Sequence, residues 1–396
     1  MNLKEAVVVS GARTATGVFG GSLSEINAPE LGAIVLKEAL NRAGIEGKDV
    51  EEVIVGTHFQ AGIKANSARQ AAIYAGLPVE IPAWTPNKNC GTGLKAVNLA
   101  AQMVMMGEAE IMLAGGCETM SRIPYMIHKH RFGARMGNEQ LLDSMMYDGL
   151  VDPFMNYHMG ITAENVAKKY GITREMQDEF ALSSHMKAAA ASKAGKFKGE
   201  IVPVEIKQRK GTIIFNEDES IRAELTIGQL AKMKPVFQPD GGTVTAGNAS
   251  GINDAAAAVV IMSREKAQEL GKKPLVAFRG FASAGVDPSI MGIGPVPAVQ
   301  KLLKKSGLKI GDIDLFELNE AFSAQALACV QELGIDPAKV NVNGGAVALG
   351  HPVGCTGARL LVTLMNELER RKARYGVISL CIGGGQGIAT LVERCN

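Results

Sequence analysis

The feature that most limits how this 396-residue chain can fold is an internal repeat. The stretches LKEALNRAGIEGKDVEEVIV and VQKLLKKSGLKIGDIDLFEL each have the pattern of a helix, a turn and a strand, and Gly44 in the first matches Gly307 in the second. A second pair begins at CGTGLKAVNLAAQ and GCTGARLLVTLMN, in which Thr92 matches Thr356. Two such copies predict a chain that folds as two similar halves.

Short runs rich in β-branched residues alternate with helical patterns in each half. The runs are AVVVSG, EEVIVG and AEIMLAGG in the first half, and LVAFRG, IDLFELN and YGVISLCIGGG in the second. Strands that alternate with helices predict an α/β fold with largely buried sheets. The segment from Gly93 to Met106 is apolar on nearly every side, which predicts a helix enclosed between sheets.

A region of different character, about 120–249, interrupts the first half. It is polar and lacks the repeat, and its stretch from Lys187 to Lys234 holds ten Lys or Arg against six Asp or Glu. This stretch is either a solvent-exposed face or a binding site for a phosphate-rich ligand. Eleven of the 18 methionines lie between Met103 and Met159, where they either fill core gaps or form an adaptable surface for an acyl chain or another subunit.

The composition disfavours several classes of protein. A net charge of +2 and an aromatic fraction of 5% argue against a nucleic-acid partner. No apolar run is long enough for a membrane span and no signal peptide is recognisable, so we expect a cytoplasmic protein without a membrane partner. The six cysteines form no C-x-x-C pair, and His128 and His130 lack neighbours at ligand spacing, so we expect no metal.

Four polar residues stand in glycine-rich surroundings: Cys90 in NCGTG, Asn319 in LNEAFSAQ, His351 in GGAVALGHPVGCTGAR and Cys381 in SLCIGGGQG. Cys90 is predicted at the turn that enters a helix, where backbone N–H groups and the helix dipole favour a thiolate. A thiolate needs a proton acceptor, and His351 is the obvious candidate. These residues therefore predict nucleophilic catalysis.

Cys381 is predicted at the end of an apolar strand, directly before the glycines of 383–385. Three glycines allow the backbone to approach a ligand and to direct N–H groups at a developing oxyanion. Structural alternatives remain open at this point. Cys90 and Cys381 could each be core residues, and Asn319 could be an N-cap residue with no catalytic role.

GTGLKA fits the G-x-G-x-x-A form of a dinucleotide-binding turn. The preceding TPNKN does not have the character of a strand, however, and Glu110 starts the next strand instead of ending it. No G-x-x-x-x-G-K-[ST] phosphate loop is present either. We therefore expect no nucleotide cofactor.

The chain resembles the thiolase family in ordered blocks along nearly its whole length: VVVSGARTATGVFGGSL, CGTGLKA, GGCETMS, YHMGITAENVA, GTVTAGNASGINDAAAAVV, MGIGPVPAV, LNEAF, GGAVALGHPVGCTGAR and CIGGGQG. The resemblance implies an α/β thiolase fold, in which two similar halves form five α-β-α-β-α layers. It also implies an N-terminal domain at 1–268 with an inserted loop domain at about 120–249, and a C-terminal domain at 272–396.

The family's catalytic roles carry over to matching residues. Cys90 is implied as the acylated nucleophile and His351 as the group that activates it. Cys381 is implied to move the proton at the α-carbon of the second acetyl group. Asn319, through a water, would share one oxyanion site with His351, and the backbone N–H groups of Cys90 and Gly383 would form the other.

The resemblance also implies the substrates. Residues implied to bind CoA or the acyl group are His158, Met159, Arg222, Ser250, Met291 and Phe322. YHMG is similar to the short-chain biosynthetic branch, which implies reversible Claisen condensation of two acetyl-CoA to acetoacetyl-CoA and CoA. The CoA thioesters are substrates, so no cofactor is implied, and the family implies a homotetramer built as a dimer of dimers.

Two departures from the family pattern stand out. Thr92 occupies a position where relatives more often have Ser, and Cys355 replaces a residue that is usually small and unreactive. Two other functions stay open: a broader-chain 3-ketoacyl-CoA thiolase of fatty-acid degradation, and a non-catalytic thiolase-like lipid carrier. The intact reactive positions argue against the carrier.

Overall fold

The computed structural model describes residues 3–209 and 211–395. The strands are β1 (Ala6–Arg13), β2 (Gly17–Val18), β3 (Glu52–Gly56), β4 (Ala83–Trp84), β5 (Ile111–Thr119), β6 (Tyr125–Met126), β7 (Leu142–Asp143), β8 (Val204–Gln208), β9 (Gly211–Phe215), β10 (Asn253–Ser263), β11 (Val276–Gly285), β12 (Leu315–Leu318), β13 (Tyr375–Ile382) and β14 (Gln386–Arg394). The helices are α1 (Ala28–Ala43), α2 (Ser67–Tyr74), α3 (Thr92–Met106), α4 (Met159–Tyr170), α5 (Arg174–Lys193), α6 (Ile227–Ala231), α7 (Arg264–Glu269), α8 (Pro295–Ser306), α9 (Ser323–Leu333), α10 (Ala346–Leu349) and α11 (Thr356–Arg371). None of these helices is long and apolar enough to cross a bilayer.

The main sheet has ten strands in the order β12-β13-β14-β11-β1-β10-β5-β3-β4, with β2 paired beside β10. The first half of the chain supplies β4, β3, β5, β10 and β1, and the second half supplies β11, β14, β13 and β12. The halves join where β1 pairs with β11 in antiparallel register through Val7 and Val8. The pairs β3–β5 and β12–β13 are parallel, so each half carries a mixed sheet.

The predicted repeat is present in the structure. Helix α1 leads to β3 as α8 leads to β12, and α3 leads to β5 as α11 leads to β13. The α/β fold with two similar halves is therefore confirmed. Sequence periodicity was sufficient here because each copy consists of local elements with strong patterns.

Helices α3 and α11 pack against each other and against strands from both halves of the sheet. Their apolar residues, such as Leu94 and Leu361, share one core cluster with strands from both halves of the sheet. Helices α1 and α2 cover the outer face of the first half, and α8 and α9 cover that of the second. The result is five layers, with the predicted helix Gly93–Met106 in the central one.

Two matched glycines allow α3 and α11 to meet at their N-termini. A Cβ on Gly93 would lie 2.8 Å from the carbonyl oxygen of Gly354, and a Cβ on Gly357 would clash with the backbone nitrogen of Leu94. Larger side chains at either position would force the helices apart. Because Cys90 precedes α3 and His351 precedes α11, this close approach brings their loops together.

The interrupting region contains α4 to α6 and the short hairpins β6–β7 and β8–β9. Arg13 of β1 anchors it, since this fully buried guanidinium pairs with Glu200 at 3.1 Å and Asp218 at 2.7 Å. A buried pair with several hydrogen bonds avoids the cost of an isolated buried charge. The domain boundaries at 1–268, about 120–249 and 272–396 stay predictions.

Candidate active site

Cys90 lies where the sequence predicted it, on a short 3-10 turn over Asn89–Gly91 that leads directly into α3. Asn89 has a left-handed φ of 46°. Its side-chain amide donates a hydrogen bond of 3.0 Å to the carbonyl oxygen of Gly383. The turn that carries the cysteine is thereby tied to the glycine-rich loop after β13.

Cys90 is half-buried and lines a cavity of about 420 Å³. Most of the residues predicted for the site line the same cavity: His158, Met159, Ser250, Met291, Phe322, His351 and Gly383. Cys90 therefore borders this cavity as well as packing against an apolar cluster, and its role as the nucleophile stays a prediction.

Three predicted site residues lie outside the cavity lining. Cys381 is fully buried in an apolar cluster with Met291 and Phe322, which themselves line the cavity. Asn319 is also fully buried, with its Nδ2 3.4 Å from Nε2 of His351. Arg222 is exposed on the interrupting region. Its contact with CoA therefore stays a prediction.

Asn319 follows β12 directly, at the predicted junction between strand and helix. The next helix, α9, begins only at Ser323, with Phe322 as its N-cap residue. The alternative that Asn319 merely caps this helix is therefore wrong.

The hydrogen bonds of His351 determine which of its nitrogens can act as a base. Nδ1 lies 2.7 Å from Oγ1 of Thr356. The Thr356 hydroxyl donates its single proton to the carbonyl oxygen of Pro352 at 2.9 Å, so it accepts from Nδ1–H. Nε2 keeps its lone pair as a result, since a neutral imidazole carries one N–H.

Burial and the nearby charge of Arg359 lower the pKa of His351 to about 3. The imidazole is therefore neutral at physiological pH, and its Nε2 carries a lone pair rather than a proton.

The charge state of Cys90 differs from the sequence prediction. Burial raises the pKa of its thiol, and the backbone N–H groups of Gly383 and Cys90 itself only partly offset this effect. The expectation of a resting thiolate at the helix start is wrong, because loss of solvation outweighs these donors. Burial, followed by the proximity of Cys90, raises the pKa of Cys381 well above that of an ordinary thiol.

The glycines after β13 place an N–H group at the nucleophile. The backbone N–H of Gly383 faces the Cys90 thiol. Gly384 and Gly385 both have φ of 85°, a conformation that favours glycine. The loop therefore brings the N–H of Gly383 to the side of the cavity where Cys90 lies, and its role as an oxyanion donor stays a prediction.

Sequence reasoning missed three residues at this site. Thr356 accepts the N–H at Nδ1 of His351. The internal repeat had already matched Thr356 with Thr92, and the Oγ1 of Thr92 also accepts a hydrogen bond, from the backbone N–H of Lys88 at 2.7 Å. His58 lines the cavity, and Asn253 accepts the backbone N–H of His351. No local pattern distinguishes these last two, because they reach the site through tertiary contacts alone.

Within 3–209 and 211–395, no group of three or more His, Cys, Asp or Glu side chains is placed to hold a metal ion. The polar groups around the cavity include the thiol of Cys90, the neutral imidazole of His351 and the backbone N–H of Gly383. This set is suited to attack by sulfur on an activated carbonyl carbon.

Two family profiles match the chain, "Thiolase, N-terminal domain" over residues 6–265 and "Thiolase, C-terminal domain" over residues 272–394. The chain belongs to the thiolase family. This thiolase is 58% identical to an acetyl-CoA acetyltransferase of Cupriavidus necator, an alignment that covers 99% of this chain and 100% of the relative. It is 52% identical to a beta-ketothiolase of the same organism, with 99% of each chain covered.

The crystal structure of the Bacillus anthracis acetyl-CoA acetyltransferase superposes on this thiolase with a TM-score of 0.98. The two sequences are 46% identical, and the match covers 100% of both chains. The predicted thiolase fold is therefore confirmed.

Proposed function

We propose that this thiolase is an acetyl-CoA C-acetyltransferase, an acyltransferase that reversibly condenses two acetyl-CoA to acetoacetyl-CoA and CoA. The observation that carries the proposal is one cavity lined by the Cys90 thiol, a neutral His351 whose Nε2 carries a lone pair, and Gly383. Relatives named acetyl-CoA acetyltransferase, at 53% to 58% identity over nearly the full length, support the choice of substrate.

In the acylation step, Cys90 passes its proton to Nε2 of His351 while its sulfur attacks the carbonyl carbon of acetyl-CoA. The bond from that carbon to the CoA sulfur breaks, and the departing thiolate takes the proton from His351. The N–H groups of Cys90 and Gly383 stabilise the oxyanion of the tetrahedral intermediate. Acetyl-Cys90 and free CoA result.

In the condensation step, Cys381 first releases its own proton to solvent, and the resulting thiolate takes a proton from the α-carbon of a second acetyl-CoA. The carbanion attacks the carbonyl of acetyl-Cys90, the carbon–sulfur bond breaks, and the proton returns through Cys381 to the Cys90 sulfur. The raised pKa of Cys381 makes its thiolate a strong base. Oδ1 of Asn319 is buried without a partner among the described residues, which supports a water between Asn319 and the enolate oxygen.

The walls of the cavity favour a short acyl group. His158 stacks on Phe237, with ring centroids 4.4 Å apart, and Phe237 meets Phe322 edge to face at 6.3 Å. Nδ1 of His158 accepts the backbone N–H of Gly160 at 2.9 Å, so its Nε2–H can donate to the substrate. These packed rings, together with Met159 and Met291, limit the space for longer chains.

Thiolysis of acetoacetyl-, 3-ketohexanoyl- and 3-ketopalmitoyl-CoA tests this function. We expect acetoacetyl-CoA to have the highest kcat/KM and 3-ketopalmitoyl-CoA to react at least about tenfold less efficiently, because the packed rings would have to move. Comparable values for all three would favour the broader-chain thiolase. No turnover of any substrate by folded protein would favour a lipid carrier.

We further propose a cytoplasmic homotetramer built as a dimer of dimers. Large apolar side chains protrude from the region around β6 and β7, with Phe132 87% and Met136 93% exposed. Such a cluster is typical of a protein contact surface. Light scattering coupled to size-exclusion chromatography should give four times the chain mass of 41.8 kDa, and a single-chain mass would contradict the proposal.

A further inference from the structure

Asn253, the first residue of β10, uses all of its side-chain hydrogen-bonding groups to join three segments. Its Oδ1 accepts the backbone N–H of His351 at 3.0 Å. Its Nδ2 donates to the carbonyl oxygen of Gly17 at 3.0 Å and to Oγ of Ser220 at 3.1 Å. The side chain is 1% exposed, so these partners replace water completely.

The backbone just before His351 lies directly against Asn253. Gly350 has φ of 90°, and a Cβ at this position would lie 2.5 Å from Cγ of Asn253. Glycine is required here both for the dihedral angle and for the close approach. The position of the His351 main chain is therefore set by its contact with Asn253.

Ser220 belongs to the interrupting region and lies in a segment that ion pairs and hydrogen bonds attach to the N-terminal strands. Asp218, two residues earlier, pairs with the buried Arg13 and accepts the backbone N–H of Thr16 at 2.8 Å. Glu219 accepts the backbone N–H of Val18 at 2.9 Å. Ser220 is thus a fixed support for the amide of Asn253 rather than part of a free loop.

We propose that Asn253 is a positioning residue for His351, and that Ser220 of the interrupting region completes its support. The inference rests on the proposed role of His351 as the base for Cys90. If this inference holds, the interrupting region affects the rate of acylation because Ser220 supports His351 through Asn253. This effect is separate from any contact that Arg222 makes with CoA.

The test compares Asn253→Ala, Ser220→Ala and Ser220→Thr with the parent. The rate of acetyl-Cys90 formation from acetyl-CoA is followed by rapid quenching and mass spectrometry, and kcat and KM are measured in thiolysis of acetoacetyl-CoA. Asn366→Ala is the matched control, because that amide donates to the carbonyl oxygen of Val362 within the same helix, α11. Thermal denaturation of every variant verifies folding.

We expect Asn253→Ala to slow acetylation about 10- to 100-fold, the usual effect of small displacements of reacting groups. Ser220→Ala should slow it about 2- to 10-fold, the range for one lost neutral hydrogen bond. Ser220→Thr keeps the hydroxyl and should react within about twofold of the parent, as should Asn366→Ala. KM should stay within about twofold for all variants, because the lost contacts act only on the reacting group.

Folded Asn253→Ala that acetylates at the parent rate would overturn the inference. A raised KM with unchanged kcat in Ser220→Ala would also overturn it, because that result places Ser220 in substrate binding. If Asn253→Ala does not fold, the comparison of Ser220→Ala with Ser220→Thr decides the question. Failure of the parent itself to form acetyl-Cys90 would instead remove the proposed function.

Discussion

Replacement of Thr356 by Val should disable the proposed base without altering the cavity. Valine has nearly the same shape as threonine but lacks Oγ1, which lies 2.7 Å from Nδ1 of His351. Thr356 is fully buried and does not line the cavity, so substrate contacts stay the same. The change removes the acceptor for Nδ1–H and leaves this buried donor without a partner.

The magnitude follows from the cost of that unpaired donor. A buried polar group without a partner costs about 1–3 kcal/mol. The imidazole of His351 avoids this cost if its proton moves to Nε2, but Nε2 then cannot accept the proton of Cys90. Since about 1.4 kcal/mol corresponds to a factor of ten, the acylation rate should fall about 5- to 150-fold. KM for acetyl-CoA should not change.

The assay measures acetyl-Cys90 formation in single-turnover mixtures, together with steady-state kcat and KM. Thr356→Ser is the matched control because it keeps the hydroxyl while removing only a methyl group. Acetylation of folded Thr356→Val at the parent rate would refute the reasoning. If Thr356→Ser were as slow as Thr356→Val, the effect would come from packing and not from the lost hydrogen bond.

Three further predictions concern Cys381, Cys90 and Arg222. Cys381→Ala should still form acetyl-Cys90, seen by mass spectrometry, yet lose condensation by about 10² to 10⁴, the usual contribution of a general base; a folded variant that cannot be acetylated contradicts the assignment. Iodoacetamide should label Cys90 before the five buried cysteines, because Cys90 lines the cavity. Since burial raises the pKa of Cys90, the rate of labelling should increase with pH toward a midpoint above that of an ordinary thiol. A midpoint at or below pH 7 would disprove this reasoning. Arg222→Glu should raise KM for acetoacetyl-CoA more than it lowers kcat, and an unchanged KM at low ionic strength would exclude Arg222 from CoA binding.

Much of the fold was accessible from sequence because its signals are local. The pattern of α1 and β3, repeated in α8 and β12, predicted two similar halves before any contact was known. The apolar run of α3 predicted its place between sheets, since a helix without a polar side must be covered all round. Glycines beside Cys90 and after Cys381 likewise indicated tight turns near reactive groups.

The relation of the reactive residues to each other depends on tertiary structure. Helix-start chemistry predicted a thiolate at Cys90, but burial reverses the shift of its pKa. Solvation depends on every segment that covers a group, and no local pattern records it. For the same reason the sequence did not reveal that Cys381 is buried beside residues that line the cavity or that Arg222 lies outside the cavity lining.

The residue types, the repeat and the turns that present Cys90 and His351 are properties of short stretches, and the amino-acid order alone determines them. The protonation state of those side chains and the roles of Thr356 and Asn253 arise only when distant segments meet. His351 becomes a neutral base because α11 and its buried surroundings enclose it, and its backbone is held by a residue 98 positions away. Such long-range contacts determine desolvation and hydrogen-bond direction, which control proton transfer in this thiolase.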